Sequence, residues 1–155
     1  MSLKNKICLV TGASRGIGRG IALALGSEGA TVFITGRTLE PSNKAPGSLS
    51  VTADEVTARG GLAIPVQCDH GVDEEIHRLF DRIEKDYGRI DLLVNNAFKG
   101  NLLSNKLLWN FRNSNHVLLS KFPCPKSSAG RQISVWKSGT NEEISGIGVE
   151  IFIPN

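Results

Sequence analysis

Three glycines at a fixed spacing are the residues of this sequence best suited to a chemical task. Gly12, Gly16 and Gly18 lie in the segment Thr11–Gly18, directly after the apolar run Ile7–Val10. The first glycine permits a tight turn, the second lets the backbone approach a phosphate group, and the third lets a helix pack closely on a strand. The N–H groups at the start of that helix would then bind the pyrophosphate of a dinucleotide. The alternative is a sharp structural turn without a ligand. It is weaker because a strand, a helix and a second strand fall where the motif requires them.

The residue that ends the second predicted strand indicates which dinucleotide the turn would hold. Sites selective for the unphosphorylated dinucleotide usually place a carboxylate there, where it binds the ribose hydroxyls. This chain has Gly36-Arg37-Thr38 instead, and a guanidinium suits a 2′-phosphate, to which it can donate two hydrogen bonds. Arg15 in the turn would supply a second cation. We therefore expect NADP(H) to be preferred over NAD(H), with flavin and methyl-donor sites disfavoured because they also tend to use an acid here. The alternative role of Arg37 is a solvated surface charge.

The elements that would position these residues alternate between strand and helix over residues 1–98. Apolar runs bounded by turn residues predict strands, and apolar residues at helical spacing predict helices. In chain order, the sequence predicts a strand over 7–10, a helix over 16–28, a strand over 31–35, a helix over 51–59, a strand over 62–68, a helix over 73–87 and a strand over 90–94. Ser50 is the expected cap of the second helix, and Gly88 is expected to end the third.

This alternation predicts a Rossmann-like, doubly wound α/β fold with a parallel sheet of strand order 3-2-1-4. Right-handed crossovers place the first two helices on one face of the sheet and the third on the other. In the first helix, Ile17, Ile21, Ala24 and Leu25 share one apolar face, which is the side expected to pack on the sheet.

Residues 99–155 lack the alternation and form a separate region of the sequence. This region has 7 Lys/Arg and 3 Asp/Glu, whereas residues 1–98 have 11 Lys/Arg and 12 Asp/Glu. We therefore divide the chain into a dinucleotide-binding part, residues 1–98, and a divergent, irregular tail, residues 99–155. An unpaired edge on the fourth strand favours aggregation. Either Ile133–Trp136 or Val149–Ile153 is therefore expected to dock there as a fifth strand.

Composition excludes several other classes of protein. The chain has 155 residues, 40% apolar and 21% charged, as in a soluble single domain. No apolar run approaches the ~18 residues that span a bilayer, and the N-terminus does not resemble a secretory signal. Three widely spaced cysteines argue against a disulfide framework or a metal site and for a reducing compartment, so a cytoplasmic protein is expected. The net charge of +3 comes without a Lys/Arg cluster, which predicts no nucleic-acid partner.

Three motifs together resemble the short-chain dehydrogenase/reductase family over residues 1–98. They are the glycine segment Thr11–Gly18, Cys68-Asp69 after the third strand, and Asp91–Ala97 around the fourth. The resemblance implies that the aspartate after the third strand contacts the adenine amino group, and that Asn95 and Ala97 line the adenine-ribose side. The residues predicted to bind the dinucleotide are Gly12, Ser14, Arg15, Gly16, Ile17, Gly18, Arg37, Asp69, Asn95 and Ala97.

Two asparagines end the fourth strand, and a structural role is the alternative to binding the dinucleotide. The resemblance implies that Asn95 steadies the central strands, and both Asn95 and Asn96 are expected to hydrogen-bond neighbouring backbone. Phe98 stands where the family usually has glycine, and we expect it to crowd the ribose.

The catalytic groups of the family have no counterpart in this sequence. Members use a serine, often an asparagine, and a Tyr-x-x-x-Lys pair in which the tyrosine exchanges a proton and the lysine lowers its pKa from ~10. The single tyrosine here, Tyr87, is followed four residues later by Asp91, and it lies on the packing stripe of the third helix. Ser138 matches the family's serine only loosely, so no catalytic residue is assigned. Surface positions are expected for the three histidines, His70, His77 and His116.

Three functional hypotheses remain open at this point. The chain is a truncated NADP(H)-dependent short-chain oxidoreductase, which binds the dinucleotide but lacks the catalytic pair because splicing or a frameshift replaced its tail. Alternatively, it is a non-catalytic nucleotide-binding module that regulates a full-length relative, or an unstable product without function. Carbonyl/alcohol interconversion on a small substrate is expected only in a full-length form. The resemblance leaves association with the endoplasmic reticulum open beside a cytoplasmic location.

Overall fold

Strands and helices alternate along the chain as the apolar pattern predicts. The computed structural model describes residues 2–43 and 46–97 in full, together with the backbone of residues 131–135 and 149–153. The elements are, in chain order, β1 (Ile7–Thr11), α1 (Gly16–Ser27), β2 (Thr31–Gly36), α2 (Leu49–Ala58), β3 (Leu62–Gln67), α3 (Asp73–Tyr87), β4 (Leu92–Asn95), β5 (Arg131–Val135) and β6 (Val149–Ile153).

The sheet formed by the described strands has the order β3-β2-β1-β4-β6-β5. Its first four strands are parallel, with Leu9 at the centre opposite both Phe33 and Leu93. All five residues of β1 are buried because neighbouring strands and both sheet faces cover them. The predicted α/β fold and the strand order 3-2-1-4 are therefore confirmed.

The two faces of the sheet carry separate apolar clusters. Ile7 and Leu9 point to the face covered by α3, whereas Cys8 and Val10 point to the face covered by α1 and α2. This alternation is the period-two pattern of a strand buried on both sides. It confirms that the first two helices lie on one face and the third on the other.

The fully buried residues of helix α1 are not the apolar ones that its sequence pattern singles out. Its buried residues are Gly18, Ala22, Leu23 and Gly26, whereas Ile17 is 49% exposed. Small residues four apart let the backbone lie close to its neighbours, and a Cβ on Gly26 would lie only 2.7 Å from a methyl group of Val56 in α2. Of the apolar face read from the sequence, Ile21 and Leu25 pack against the core, whereas Ile17 and Ala24 are exposed. A search for large apolar residues does not find the small side chains that close helix packing selects.

The cap of α2 also differs from the prediction. Ser48, not Ser50, precedes the helix, and its hydroxyl oxygen accepts a hydrogen bond from the Val51 N–H at 3.3 Å. Ser50 lies inside the first turn. The end of α3 agrees with the prediction, since Gly88 adopts the left-handed conformation that closes a helix.

Two strands of the tail extend the sheet beyond β4. β6 pairs antiparallel with β4, placing Ile151 opposite Val94, and β5 pairs antiparallel with β6. Val149–Ile153 is therefore the segment that docks on the fourth strand, as one of the two predicted alternatives. β6 docks there because the unpaired parallel edge of β4 offers backbone groups that a β-branched segment can satisfy.

Candidate functional site

The turn between β1 and α1 requires glycine at each of its three glycine positions, for different reasons. Gly12 has φ +68°, and a Cβ there would lie 2.7 Å from the Ala97 Cα. Gly18 has a helical backbone, but a Cβ would lie 2.4 Å from both the Gly12 carbonyl oxygen and the Asn96 side-chain nitrogen. Gly16 has φ +59°, and its Cβ would point into open space. The turn is therefore closed on its inner side and open above Gly16, where a ligand group would approach.

The end of β4 holds this turn in place. The Thr11 hydroxyl oxygen accepts hydrogen bonds from the backbone N–H groups of Asn96 and Ala97, each at 2.9 Å. The Asn96 side chain donates to the carbonyl oxygens of Thr11 and Gly12, at 2.9 and 3.0 Å. Hydrogen bonds of Asn96 thus hold the turn to the end of β4, while the steadying role of Asn95 stays a prediction. Ala97 lies against the turn, since a Cβ on Gly12 would lie 2.7 Å from its Cα.

The beginning of α1 presents uncapped N–H groups at this open side. Arg15 precedes the helix without a side-chain cap, and the first turn contains no acid. Gly16 and Ile17 are exposed, and within residues 2–43 and 46–97 no hydrogen bond from their N–H groups is found. The positive end of the helix dipole and unpaired donors together favour an anion at this point.

The end of β2 lies directly beside the turn. A Cβ on Gly36 would be 3.7 Å from the Ser14 hydroxyl oxygen, so the two residues are in ordinary contact distance. Arg37 follows, exposed to solvent, and its carbonyl oxygen accepts a hydrogen bond from the Gln67 side chain at 3.0 Å. Arg15 is also exposed. The two arginines predicted to bind a phosphate therefore follow the ends of two neighbouring parallel strands.

The aspartate after β3 shares a cavity with Arg37. The cavity has a volume of about 650 Å³, and Asp69, Gln67 and Arg78 also line it. One carboxylate oxygen of Asp69 accepts a hydrogen bond from the Gly71 N–H at 2.9 Å, which orients the side chain. The cavity thus has both signs of charge, and it lies between the carboxyl end of β3 and helix α3, with Arg37 at the end of β2 on its border.

His70 is buried, contrary to the expected surface position. It is 5% exposed, and its Nε2 lies 2.6 Å from the Thr35 hydroxyl oxygen. Burial lowers the pKa of His70 to about 4, although Asp69 and Glu75 favour the charged form. The prediction was wrong because His70 follows β3, which pairs with β2. The imidazole therefore lies beside Thr35 near the end of β2. His77 is exposed as expected, and His116 lies outside the described residues, as do Phe98 and Ser138.

Residues 6–106 match the family model of the short chain dehydrogenases. This range is most of the chain and contains every residue of the site described above. The chain belongs to the short-chain dehydrogenase family.

The chain aligns with the N-terminal parts of longer relatives. It is 48% identical over 99 residues to dehydrogenase/reductase SDR family member 1 of Mus musculus, covering 63% of the chain and 29% of the relative. It is 42% identical over 93 residues to hydroxysteroid dehydrogenase-like protein 2 of Danio rerio, covering 60% of the chain and 22% of the relative. The chain therefore spans less than a third of the length of these curated relatives.

Solved structures of the family share the fold. A short chain dehydrogenase from Mycobacterium thermoresistibile has a TM-score of 0.71 at 27% identity, over 81% of this chain and 49% of that one. A metagenomic short-chain oxidoreductase in complex with NADP has a TM-score of 0.64 at 33% identity, over 79% of this chain and 57% of that one.

The one tyrosine of the sequence lies away from the turn. Tyr87 ends α3, which runs antiparallel to the strands, so it lies near the edge where the strands begin. Its ring packs edge-on against Phe33, with ring centroids 5.6 Å apart. Asp91, four residues on, accepts a hydrogen bond from the Ile7 N–H at 2.8 Å at the same edge. Tyr87 thus packs on Phe33, but it is 37% exposed and is not the core residue that its place on the apolar stripe predicts.

Two other features of the described part bear on function. None of its helices has the length and hydropathy that crossing a bilayer requires. Residues 2–43 and 46–97 also contain no group of three potential metal-ligating side chains suited to a metal ion.

Proposed function

We propose that this chain binds NADP(H) at the carboxyl end of its parallel sheet, as the coenzyme-binding part of a short-chain oxidoreductase. The observation that carries the proposal is the uncapped, exposed start of α1 under an open glycine turn. A pyrophosphate there accepts hydrogen bonds from the N–H groups of Gly16 and Ile17 and interacts favourably with the helix dipole. The 33% identical neighbour solved with NADP supports the same ligand class.

The other proposed contacts follow from the positions of the side chains. Arg37 and Arg15 bind the 2′-phosphate, since both are exposed cations beside the turn and a guanidinium binds a phosphate through two hydrogen bonds. The Asp69 carboxylate accepts a hydrogen bond from the adenine amino group across the cavity that it shares with Arg37. Asn95 and Ala97, at the end of β4, line the adenine-ribose side.

We propose further that this chain binds the dinucleotide without turning it over. The bound nicotinamide would supply or accept a hydride, and a partner carbonyl or alcohol then needs a residue that exchanges a proton. The only tyrosine of the sequence is Tyr87, at the opposite edge of the sheet and followed by Asp91 rather than by a lysine. Carbonyl/alcohol interconversion is therefore proposed for longer forms that add the Tyr-x-x-x-Lys pair.

The direct test of coenzyme choice is calorimetric titration with NADPH and with NADH. We expect tighter binding of NADPH. The variant Arg37→Met should raise the Kd for NADPH at least tenfold, about 1.4 kcal/mol, and change the Kd for NADH less than twofold. Arg59→Met is the matched control, because Arg59 is an exposed arginine that follows the far end of α2. Equal losses for both coenzymes, or an equal loss in the control, would contradict the proposed role of Arg37.

Turnover is tested separately by following NADPH oxidation with a set of small aldehydes and ketones. We expect no rate above the background without protein. A protein-dependent rate would show that another residue supplies the proton and would overturn the binding-only proposal.

A further inference from the structure

The start of α2 packs directly on the backbone of the glycine turn. Gly47, just before the helix, has φ +84°, and a Cβ there would lie 2.3 Å from the Ser14 carbonyl oxygen and 3.0 Å from the Arg15 Cβ. A side chain at Gly47 would therefore force the turn and the helix start apart.

A second contact joins the same two segments. Thr52, fully buried in the second turn of α2, places its hydroxyl oxygen 3.1 Å from the Ala13 carbonyl oxygen and 3.0 Å from the Ser48 carbonyl oxygen. The hydroxyl carries one proton, so the two carbonyls share it. The Ala13 N–H donates to the Thr35 carbonyl oxygen at 2.9 Å. Ala13 is thus held on one side by the sheet and on the other by α2.

These contacts determine where the N–H groups of the turn point. The peptide unit is planar, so fixing a carbonyl oxygen also fixes the direction of the next residue's N–H. Thr52 holds the Ala13 carbonyl and thereby directs the Ser14 N–H. Gly47 abuts the Ser14 carbonyl and thereby directs the Arg15 N–H.

We propose that the segment Gly47–Thr52, which we term the α2 clamp, is a positioning element for phosphate binding. It keeps the N–H groups of Ser14 and Arg15 turned toward the ligand side, next to those at the start of α1. The proposal rests on the proposed function, since it assigns to Gly47 and Thr52 the orientation of that same site. Neither residue touches the dinucleotide. Because the pyrophosphate is common to both coenzymes, loosening the clamp weakens NADPH and NADH alike, unlike loss of Arg37.

The first test compares Gly47→Ala with Gly60→Ala. Gly60 has a similar positive φ of +93°, and its Cβ would meet nothing within 4 Å. Both variants therefore strain a left-handed position, but only Gly47→Ala displaces the turn. We expect Gly47→Ala to raise the Kd for NADPH and for NADH at least fivefold, and Gly60→Ala to change either Kd less than twofold.

The second test removes the buried hydroxyl. Thr52→Val keeps the shape of the side chain, and Thr52→Ser keeps the hydroxyl. Thr57→Val is the control, because the Thr57 hydroxyl donates to the Ala53 carbonyl oxygen within the same helix but far from the turn. We expect Thr52→Val to weaken both coenzymes at least threefold, Thr52→Ser to restore most of the binding, and Thr57→Val to match the unchanged protein.

Amide hydrogen exchange without any coenzyme separates this inference from the proposed function. Gly47→Ala and Thr52→Val should accelerate exchange at the Ala13 and Leu49 amides, whose N–H groups donate to the carbonyl oxygens of Thr35 and Thr38, while the two control variants leave these rates unchanged. If the unchanged protein binds neither coenzyme, the proposed function is overturned and the exchange rates still test the clamp. If exchange at these amides is the same in clamp and control variants, or if binding falls equally in both, the clamp is overturned.

Discussion

Gly18 offers the sharpest test of how the turn is built. It lies in α1 with a helical backbone, so alanine should be favourable there by the intrinsic ~1 kcal/mol that separates the two residues in a helix. The structure predicts the opposite sign, because the added Cβ would lie 2.4 Å from the Gly12 carbonyl oxygen and 2.4 Å from the Asn96 side-chain nitrogen. Gly18→Ala must therefore move the turn or expel the Asn96 amide.

The size of the effect follows from these contacts. Overpacking a tight site costs about 1–3 kcal/mol, and displacing the two Asn96 hydrogen bonds costs roughly 1 kcal/mol each. After the helix-propensity gain of ~1 kcal/mol, Gly18→Ala should lower the free energy of unfolding by about 2–4 kcal/mol. Gly20→Ala is the control on the same helix, since its Cβ meets nothing within 4 Å. It should raise the free energy of unfolding by about 0.5–1 kcal/mol.

Urea denaturation of the two variants measures the difference in their free energies of unfolding, which we expect to be about 2.5–5 kcal/mol from these estimates. NADPH titration of the same samples should show weaker binding for Gly18→Ala alone. If Gly18→Ala is as stable as Gly20→Ala and binds equally well, the close contact between helix, turn and β4 is not a constraint, and the reasoning fails.

Three further predictions concern groups away from the turn. The pKa of His70 is lowered to about 4 in the folded protein by burial, against ~6.5 when unfolded. The contribution of neutral His70 to the free energy of unfolding should therefore be complete above pH ~6.5. It should fall by up to roughly 3 kcal/mol as the pH drops toward 4. Free energies of unfolding measured across this range should lose this pH dependence in His70→Gln but keep it in His77→Gln. Burial raises the pKa of both Cys8 and Cys68 to about 12, so mass spectrometry should find neither alkylated by iodoacetamide at pH 8 until denaturant is added; rapid native labelling would contradict their burial. Asp91→Ala removes the carboxylate that accepts a hydrogen bond from the Ile7 N–H, together with two ion pairs. It should lower the free energy of unfolding, measured in urea, by about 1–3 kcal/mol. An unchanged midpoint of urea unfolding would show that Asp91 is dispensable.

The sequence predicted those parts of the fold in which the local residue pattern is enough to identify a strand, a helix or a helix end. Ile7–Val10 is a continuous apolar run, which identifies a strand buried on both faces, and the crossover rules then left few possible strand orders. Gly88 likewise has a local signature, because only a residue that tolerates positive φ ends a helix in this way.

The predictions that failed depend on contacts between distant segments. Gly18 and Gly26 let α1 pack closely because they have no side chain. This is visible only from the positions of their neighbours, Asn96 and Val56. His70 is buried because it packs against Thr35 of the neighbouring strand β2. Gly47 and Thr52 carry no motif of their own, and their importance is visible only once α2 is placed on the turn.

Amide chemical shifts during titration of the ¹⁵N-labelled chain with NADPH test the central claim most directly. The account predicts that the amides of Gly16 and Ile17, with that of Ser14, shift more than any others, because their N–H groups donate to the pyrophosphate. Saturating NADPH that leaves these amides unmoved, or that shifts only residues of β3 and α3, would contradict it.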